Sequence, residues 1–152
     1  MNMNEVSKHT QEVLKKNGWY EGREYDITFW VSVLEEEGYK LNEYAKSILK
    51  ELGDIYVREK STELYNSATF DFNPFNAASG EYDRMEEFEQ ASRDKLFPIG
   101  AVQEYIVYAG ESKRIYIGDW EGLYMIGTSI EEYLENIFRK NYEPIKILLD
   151  RT

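Results

Sequence analysis

The chain has no cysteine, and its 152 residues include a single histidine and only three prolines. Lack of cysteine excludes disulfides, thiolate nucleophiles and sulfur-ligated metals together, and fits a reducing compartment, so a cytoplasmic location is expected. The one imidazole, His9, falls on a polar stretch near the start of the chain and reads as a surface histidine. A nucleophile activated by histidine, or a histidine-ligated metal, is thereby disfavoured. No glycine-rich phosphate loop and no D-x-[DN]-x-[DN]-G calcium loop is present. Carboxylate pairs such as Asp71 with Asp83 are what 29 acidic residues produce by chance. No catalytic residue, metal or cofactor is therefore expected. Also missing are an apolar export segment after a basic start and any run of about twenty apolar residues, so neither a signal nor a membrane span is read.

What the chain does hold is aromatic and acidic. Thirteen tyrosines, seven phenylalanines and three tryptophans within a 42% hydrophobic composition supply a substantial core, and the length suits one domain over residues 1–152. Eighteen basic against 29 acidic residues give a formal charge of −11. Such a field repels nucleic acid and anionic membranes and attracts basic proteins.

Periodicity divides the chain. Val6, Thr10, Val13 and Leu14 share a helical face ending at Gly18, and Asp26 precedes a second helix through Ile27, Trp30, Val31 and Leu34 to Gly38. Asn42 caps a third, with Ala45, Ile48, Leu49 and Leu52 inward and Gly53 after it. Beyond Gly53 the period changes to two: Ile55–Val57 and Ala68–Phe72 read as strands, with Asn73-Pro74 as a break and Asn76–Gly80 as a loop. Glu81–Lys95 reads as a mostly exposed acidic helix with Tyr82, Met85, Phe88 and Ala91 as a narrow stripe. Leu96–Gly100 leads into three short strands, Val102–Tyr108, Arg114–Ile117 and Leu123–Ile126, predicted to form an antiparallel meander with turns at Gly110-Glu111-Ser112 and Gly118-Asp119. Ser129 with Glu132 forms a capping box before a last helix carrying Ile130, Tyr133, Leu134, Ile137 and Phe138. The tail from Pro144 to Leu149 fits either an edge strand or a helical turn.

Helix, Gly18-Trp19-x-x-Gly22-Arg23, helix, strands, Leu96-Phe97-Pro98-Ile99-Gly100, meander and capped helix form an order that resembles the SUKH superfamily. The resemblance is closest to its third branch, the SUKH-3 immunity proteins, and spans nearly the whole chain. Leu52-Gly53-Asp54 stands at a usual helix end of that branch, and Ile115-Tyr116 resembles its hairpin, although Lys113-Arg114 occupies a turn that often has glycine. The resemblance implies an α+β fold, a mostly antiparallel sheet flanked by helices. It also implies a bacterial, non-catalytic protein that binds and neutralises the toxin domain, often a nuclease, of a polymorphic toxin system. A non-catalytic SUKH-like scaffold binding a host protein is the alternative. Within the signatures, Gly18, Trp19, Gly22, Arg23, Phe97, Pro98 and Gly100 read as structural. Trp19 is expected to seal one end of the core, Arg23 to bind helix carbonyls or a carboxylate, and Pro98 to stiffen the turn entering the meander.

For a cognate, basic toxin the first candidate surface is the acidic segment with Glu81, Asp83, Glu86, Glu87, Glu89 and Asp94, together with exposed Tyr82 and Phe88. Asp71 and the loop after it adjoin this segment. Glu35, Glu36 and Glu37 form a second candidate. Asp119-Trp120-Glu121 places an indole between two acids in a turn, as an interface anchor or as a loop-packing residue.

Overall fold

The computed structural model describes residues 1–149. Among them, seven strands lie side by side in sequence order as one antiparallel sheet. They are β1 (Tyr56–Glu59), β2 (Ala68–Asp71), β3 (Leu96–Val102), β4 (Tyr105–Gly110), β5 (Ile115–Asp119), β6 (Gly122–Gly127) and β7 (Ile145–Leu149). The expected α+β architecture with helices around an antiparallel sheet is therefore present. The tail resolves as a strand: β7 pairs with β6, Leu148 opposite Leu123.

Three helices precede the sheet: α1 (Lys8–Lys16), α2 (Thr28–Glu37) and α3 (Glu43–Leu52). Each begins where a short polar side chain satisfies an orphan N–H. Ser7 Oγ accepts from the Thr10 amide at 3.2 Å, Asp26 Oδ1 from Thr28 at 3.0 Å, and Asn42 Oδ1 from Ala45 at 2.8 Å. The hydrogen bonds from Thr28 hold the Asp26 carboxyl below its usual range. The apolar stripes turn inward, with Leu14, Leu34, Ala45, Leu49 and Leu52 fully buried. Helix α3 packs on β3 and β4.

The segments bearing Pro74 and Pro98 differ from the sequence reading, and the expected strand Val102–Tyr108 is divided between β3 and β4 by a turn at Gln103 and Glu104. Asn73-Pro74 opens a helix: α4 (Pro74–Ala78) has Asn73 as its cap, accepting from the Asn76 amide at 3.0 Å, with Pro74 in the first turn, where a missing N–H costs nothing. Leu96–Gly100 is strand β3 itself, so Pro98 stiffens no turn. It pairs with Tyr108 at a bulge between Pro98 and Gly100, one of the few places a sheet tolerates proline. Gly100 has φ +153°, and a Cβ there would run into the Asp71 carbonyl of β2. Phe97 and Ile99 are fully buried, as expected.

The last helix, α6 (Ile130–Phe138), packs on β6. Ser129 Oγ accepts from the Glu132 amide at 3.1 Å, but the Glu132 carboxylate returns to Thr128, taking its amide at 3.2 Å and its hydroxyl at 2.9 Å. The box thus closes one residue earlier than its sequence pattern implies. His9 is not a free surface imidazole. It stacks on Tyr65 at 3.6 Å between ring centroids and meets Phe138 edge-on at 4.9 Å, fastening α1 to α6.

Candidate partner-binding surface

The acidic segment after α4 is a 3₁₀ turn, Tyr82–Arg84, running into α5 (Met85–Ser92). Its apolar residues divide sharply. Met85 and Phe88 are buried under the sheet, Phe88 lying edge-on to Tyr108 at 6.0 Å, while Ala91 is exposed. Phe88 is therefore core, contrary to its expected exposure, because the segment bends from 3₁₀ to α and turns that position inward. Tyr82 is half-buried, edge-on to Tyr39 at 4.9 Å.

Arg84 decides how this segment sits. Its Nη1 donates to the main-chain carbonyls of Asp119 at 3.3 Å and Trp120 at 2.7 Å, on the turn between β5 and β6. Its other nitrogens hold Glu87 at 2.9 and 3.4 Å, and its guanidinium lies 4.9 Å from the centre of the Phe88 ring. One arginine thus ties the acidic segment to the Asp119-Trp120-Glu121 turn, two regions that sequence presents as separate. The Asp119 carboxylate shapes that turn by accepting from the Glu121 amide at 2.9 Å and the Gly122 amide at 3.2 Å. The Trp120 indole packs on nothing and is 81% exposed. Between the two regions runs a groove of about 420 Å3 lined by Glu81, Asp83, Arg84, Glu104, Asp119 and Trp120 above Phe88 and Tyr108. Burial pushes the Tyr108 hydroxyl well above the usual tyrosine value.

Other candidate carboxylates lie elsewhere or are already engaged. Glu86 and Glu89 face a different cleft, with Arg93, Asp94 and Lys95, and Glu89 also accepts the Leu96 amide at 2.9 Å. Asp71, on β2, is half-buried and accepts the Asn73 amide at 2.9 Å; burial raises its carboxyl, opposed by amides of Asn73 and Ala101. Glu37, of the second acidic cluster, receives the Gly80 amide at 2.7 Å and the Ser79 hydroxyl at 2.9 Å.

Asp94 is the largest departure from its sequence reading. It is 9% exposed and lies beyond the end of α5, where it accepts from the Lys95 amide at 2.9 Å, the Ser112 amide at 3.1 Å, the Ser112 hydroxyl, and the Tyr116 hydroxyl at 2.9 Å. Burial, and then Asp94 itself, push the Tyr116 hydroxyl up to about 12. Asp94 locks α5 to the β4–β5 hairpin. Its partners are some twenty residues downstream, so no local pattern marks it.

A family model described as the SUKH-3 immunity protein matches residues 6–140. The chain belongs to the SUKH-3 immunity protein family. No curated protein and no solved structure gives a significant match. In this SUKH-3 chain the first signature closes on Glu51, in the last turn of α3. Half-buried Trp19 donates Nε1–H to Glu51 Oε2 at 2.9 Å, and Arg23 Nη1 donates to the Glu51 carbonyl at 2.9 Å. Gly18 and Gly22, with φ of +115° and +82°, bring the two side chains round to it. Among the described residues no helix is long and apolar enough to cross a membrane, and no group of acidic and histidine side chains is arranged to hold a metal. Sequence reasoning missed Arg84 and Glu104. Arg84 reads as a minority charge in an acidic helix, and Glu104 belongs to a turn hidden inside what looks like one continuous strand.

Proposed function

We propose that this SUKH-3 chain is a bacterial cytoplasmic immunity protein that neutralises a basic toxin domain by binding it, without catalysis, through the surface joined by Arg84. The proposed toxin belongs to a polymorphic or contact-dependent toxin system, with a nuclease as the first class to test. The observation that carries the reading is the Trp120 indole, 81% exposed on a turn fixed by Arg84 and flanked by Glu81, Asp83, Glu104 and Asp119. A large aromatic held out on an ordered turn and ringed by carboxylates has the composition of an interface hot spot. The charge of −11 supports the same partner, because it speeds encounter with a basic protein and disfavours nucleic acid and anionic lipid.

The test is co-expression with the toxin encoded beside the gene, scoring survival and then co-purification. Survival with a stable complex that Trp120→Ala disrupts is the expected result. Rescue without a complex would replace binding by an indirect or catalytic mechanism, and absence of rescue would favour a scaffold that binds a host protein.

A further inference from the structure

The groove beneath Trp120 has a lining suited to one kind of side chain. Its floor is apolar, with Phe88 and Tyr108 each 2% exposed and Ile106 and Gly118 beside them. Glu81, Asp83, Glu104 and Asp119 stand around it. The carboxylates of Glu81, Asp83 and Glu104 neither form an ion pair nor accept a hydrogen bond from any other described residue. Arg84 also lines the groove, but its donors are committed to Glu87 and to the carbonyls of Asp119 and Trp120. Tyr108 is 2% exposed, lines the groove, and its hydroxyl makes no hydrogen bond to any other described residue, so the little surface it keeps is open to the groove. An apolar floor, a tyrosine hydroxyl without a protein partner, unpaired carboxylates and a projecting indole are thus gathered in about 420 Å3.

We infer that this groove is the receptor for one arginine side chain of the partner, inserted between Trp120 and the carboxylates. This rests on the reading of the surface as the toxin-facing one. Arginine fits each part of the lining. Its methylene stem covers half-buried Ile106, and its planar head offers five N–H donors in a fixed fork to the carboxylates and the Tyr108 oxygen. The flat face of that head stacks on the indole. Lysine satisfies the charge but has no plane to stack and no fork to share between carboxylates. At about 420 Å3 the groove has room for a single side chain with its flanking main chain.

The test uses the whole isotope-labelled protein and a small probe. N-acetyl-L-argininamide is titrated while amide and indole resonances are followed, in parallel with the lysine analogue and the citrulline analogue, which keeps the shape and lacks the charge. The expected result is saturable shifts confined to Tyr108, Gly118, Asp119 and the Trp120 indole N–H, with citrulline weaker by roughly tenfold or more. Trp120→Ala and Glu104→Gln, both exposed, should each weaken the arginine probe with melting temperature unchanged. Absence of saturable shifts, shifts centred elsewhere, or equal binding of citrulline would overturn the assignment. Toxin capture separates the two ideas. Capture that depends on Trp120, with no binding of the arginine probe, would overturn the groove and leave the surface standing. Probe binding without toxin capture would do the reverse.

Discussion

Arg84 reaches across from the 3₁₀ turn to the main-chain carbonyl of Trp120, 2.7 Å away, so the most exposed large hydrophobic side chain among the described residues stands on a turn held from outside its own hairpin. A two-residue hairpin turn has little to fix it beyond its own ladder. The Arg84 bonds, with the Asp119 side chain accepting from Glu121 and Gly122, supply the rest. Arginine suits this position because Nη1 serves both the Asp119 and Trp120 carbonyls while Nη2 and Nε hold the Glu87 carboxylate.

Trp120→Ala is expected to weaken toxin binding by about 2 kcal/mol or more, roughly thirtyfold, chiefly in the dissociation rate, with no change in melting temperature. Arg84→Ala should cost less affinity and also lower the melting temperature slightly. Arg84→Lys should not restore it, because an ammonium cannot serve both carbonyls and Glu87 together. Surface plasmon resonance with thermal melts on the same samples separates these effects. Wild-type affinity in Trp120→Ala would move the interface elsewhere.

Charge reversal separates solvated acids from engaged ones. Glu81→Lys, Asp83→Lys and Glu104→Lys combined should slow association by about tenfold or more at low salt and flatten its salt dependence, leaving stability within about 0.5 kcal/mol. Glu89→Lys, on α5 among similar residues, should instead lower the melting temperature, since its carboxylate accepts the Leu96 amide at the start of β3. Stopped-flow association across a salt series, with denaturant unfolding alongside, reads both.

Asp94→Ala is expected to destabilise the fold by roughly 3 kcal/mol, because the enclosed Tyr116 hydroxyl and the Ser112 and Lys95 donors lose a common charged acceptor. The double variant Asp94→Ala with Tyr116→Phe should recover part of that loss, since it removes the stranded hydroxyl. Equilibrium urea unfolding tests this, and additive losses would show that the two residues act independently.

Stability should fall at alkaline pH with a definite sign. The unfolded chain releases a tyrosine proton near pH 10. Folded Tyr116 keeps its proton up to about 12, so between those values the native state binds the proton and the unfolded state does not. Raising pH through that window therefore drains stability. Tyr39, Tyr108 and Tyr133, raised by burial in the same direction, add to the loss. Tyr116→Phe should melt lower than wild type at pH 8, where Asp94 has lost a donor, and the gap should narrow as pH climbs from 10 to 12. A gap that widens would contradict the shift.

The parts of this fold legible in sequence are those whose signals are local. The third helix declares itself through Asn42, its inward stripe and Gly53, and the last through Ser129 and its apolar face. The β5 and β6 strands follow from their short turns, whereas the expected strand Val102–Tyr108 breaks at Gln103 and Glu104, the turn between β3 and β4. Proline misled the reading twice, for one reason. Asn73-Pro74 reads as a break and Pro98 as the stiffener of a turn, but the first turn of α4 and the bulge of β3 are both places where a missing N–H is tolerated. The family signatures located the fold, while the candidate surface was only half visible: Glu81, Asp83, Asp119 and Trp120 were named from sequence, and Arg84, which brings them together, was not. Asp94 and Phe88 were misassigned to the surface because their burial depends on β4 and β5, which a helical pattern does not encode.

The strictly sequential strand order also bears on how the chain reaches this state. The β3–β4, β4–β5 and β5–β6 hairpins each pair neighbours across a few residues, so the centre of the sheet assembles with little loop-closure entropy. The stretch from Phe72 to Lys95 is different: it leaves the sheet after β2 and returns only at β3, and α5 packs on strands that all follow it, with Phe88 against Tyr108 of β4 and Gly118 of β5 and the helix beside β7. The Arg84 bridge therefore closes after the central hairpins. The groove exists only where the β5–β6 turn and the segment before β3 meet, so the capacity to receive a partner belongs to neither segment alone.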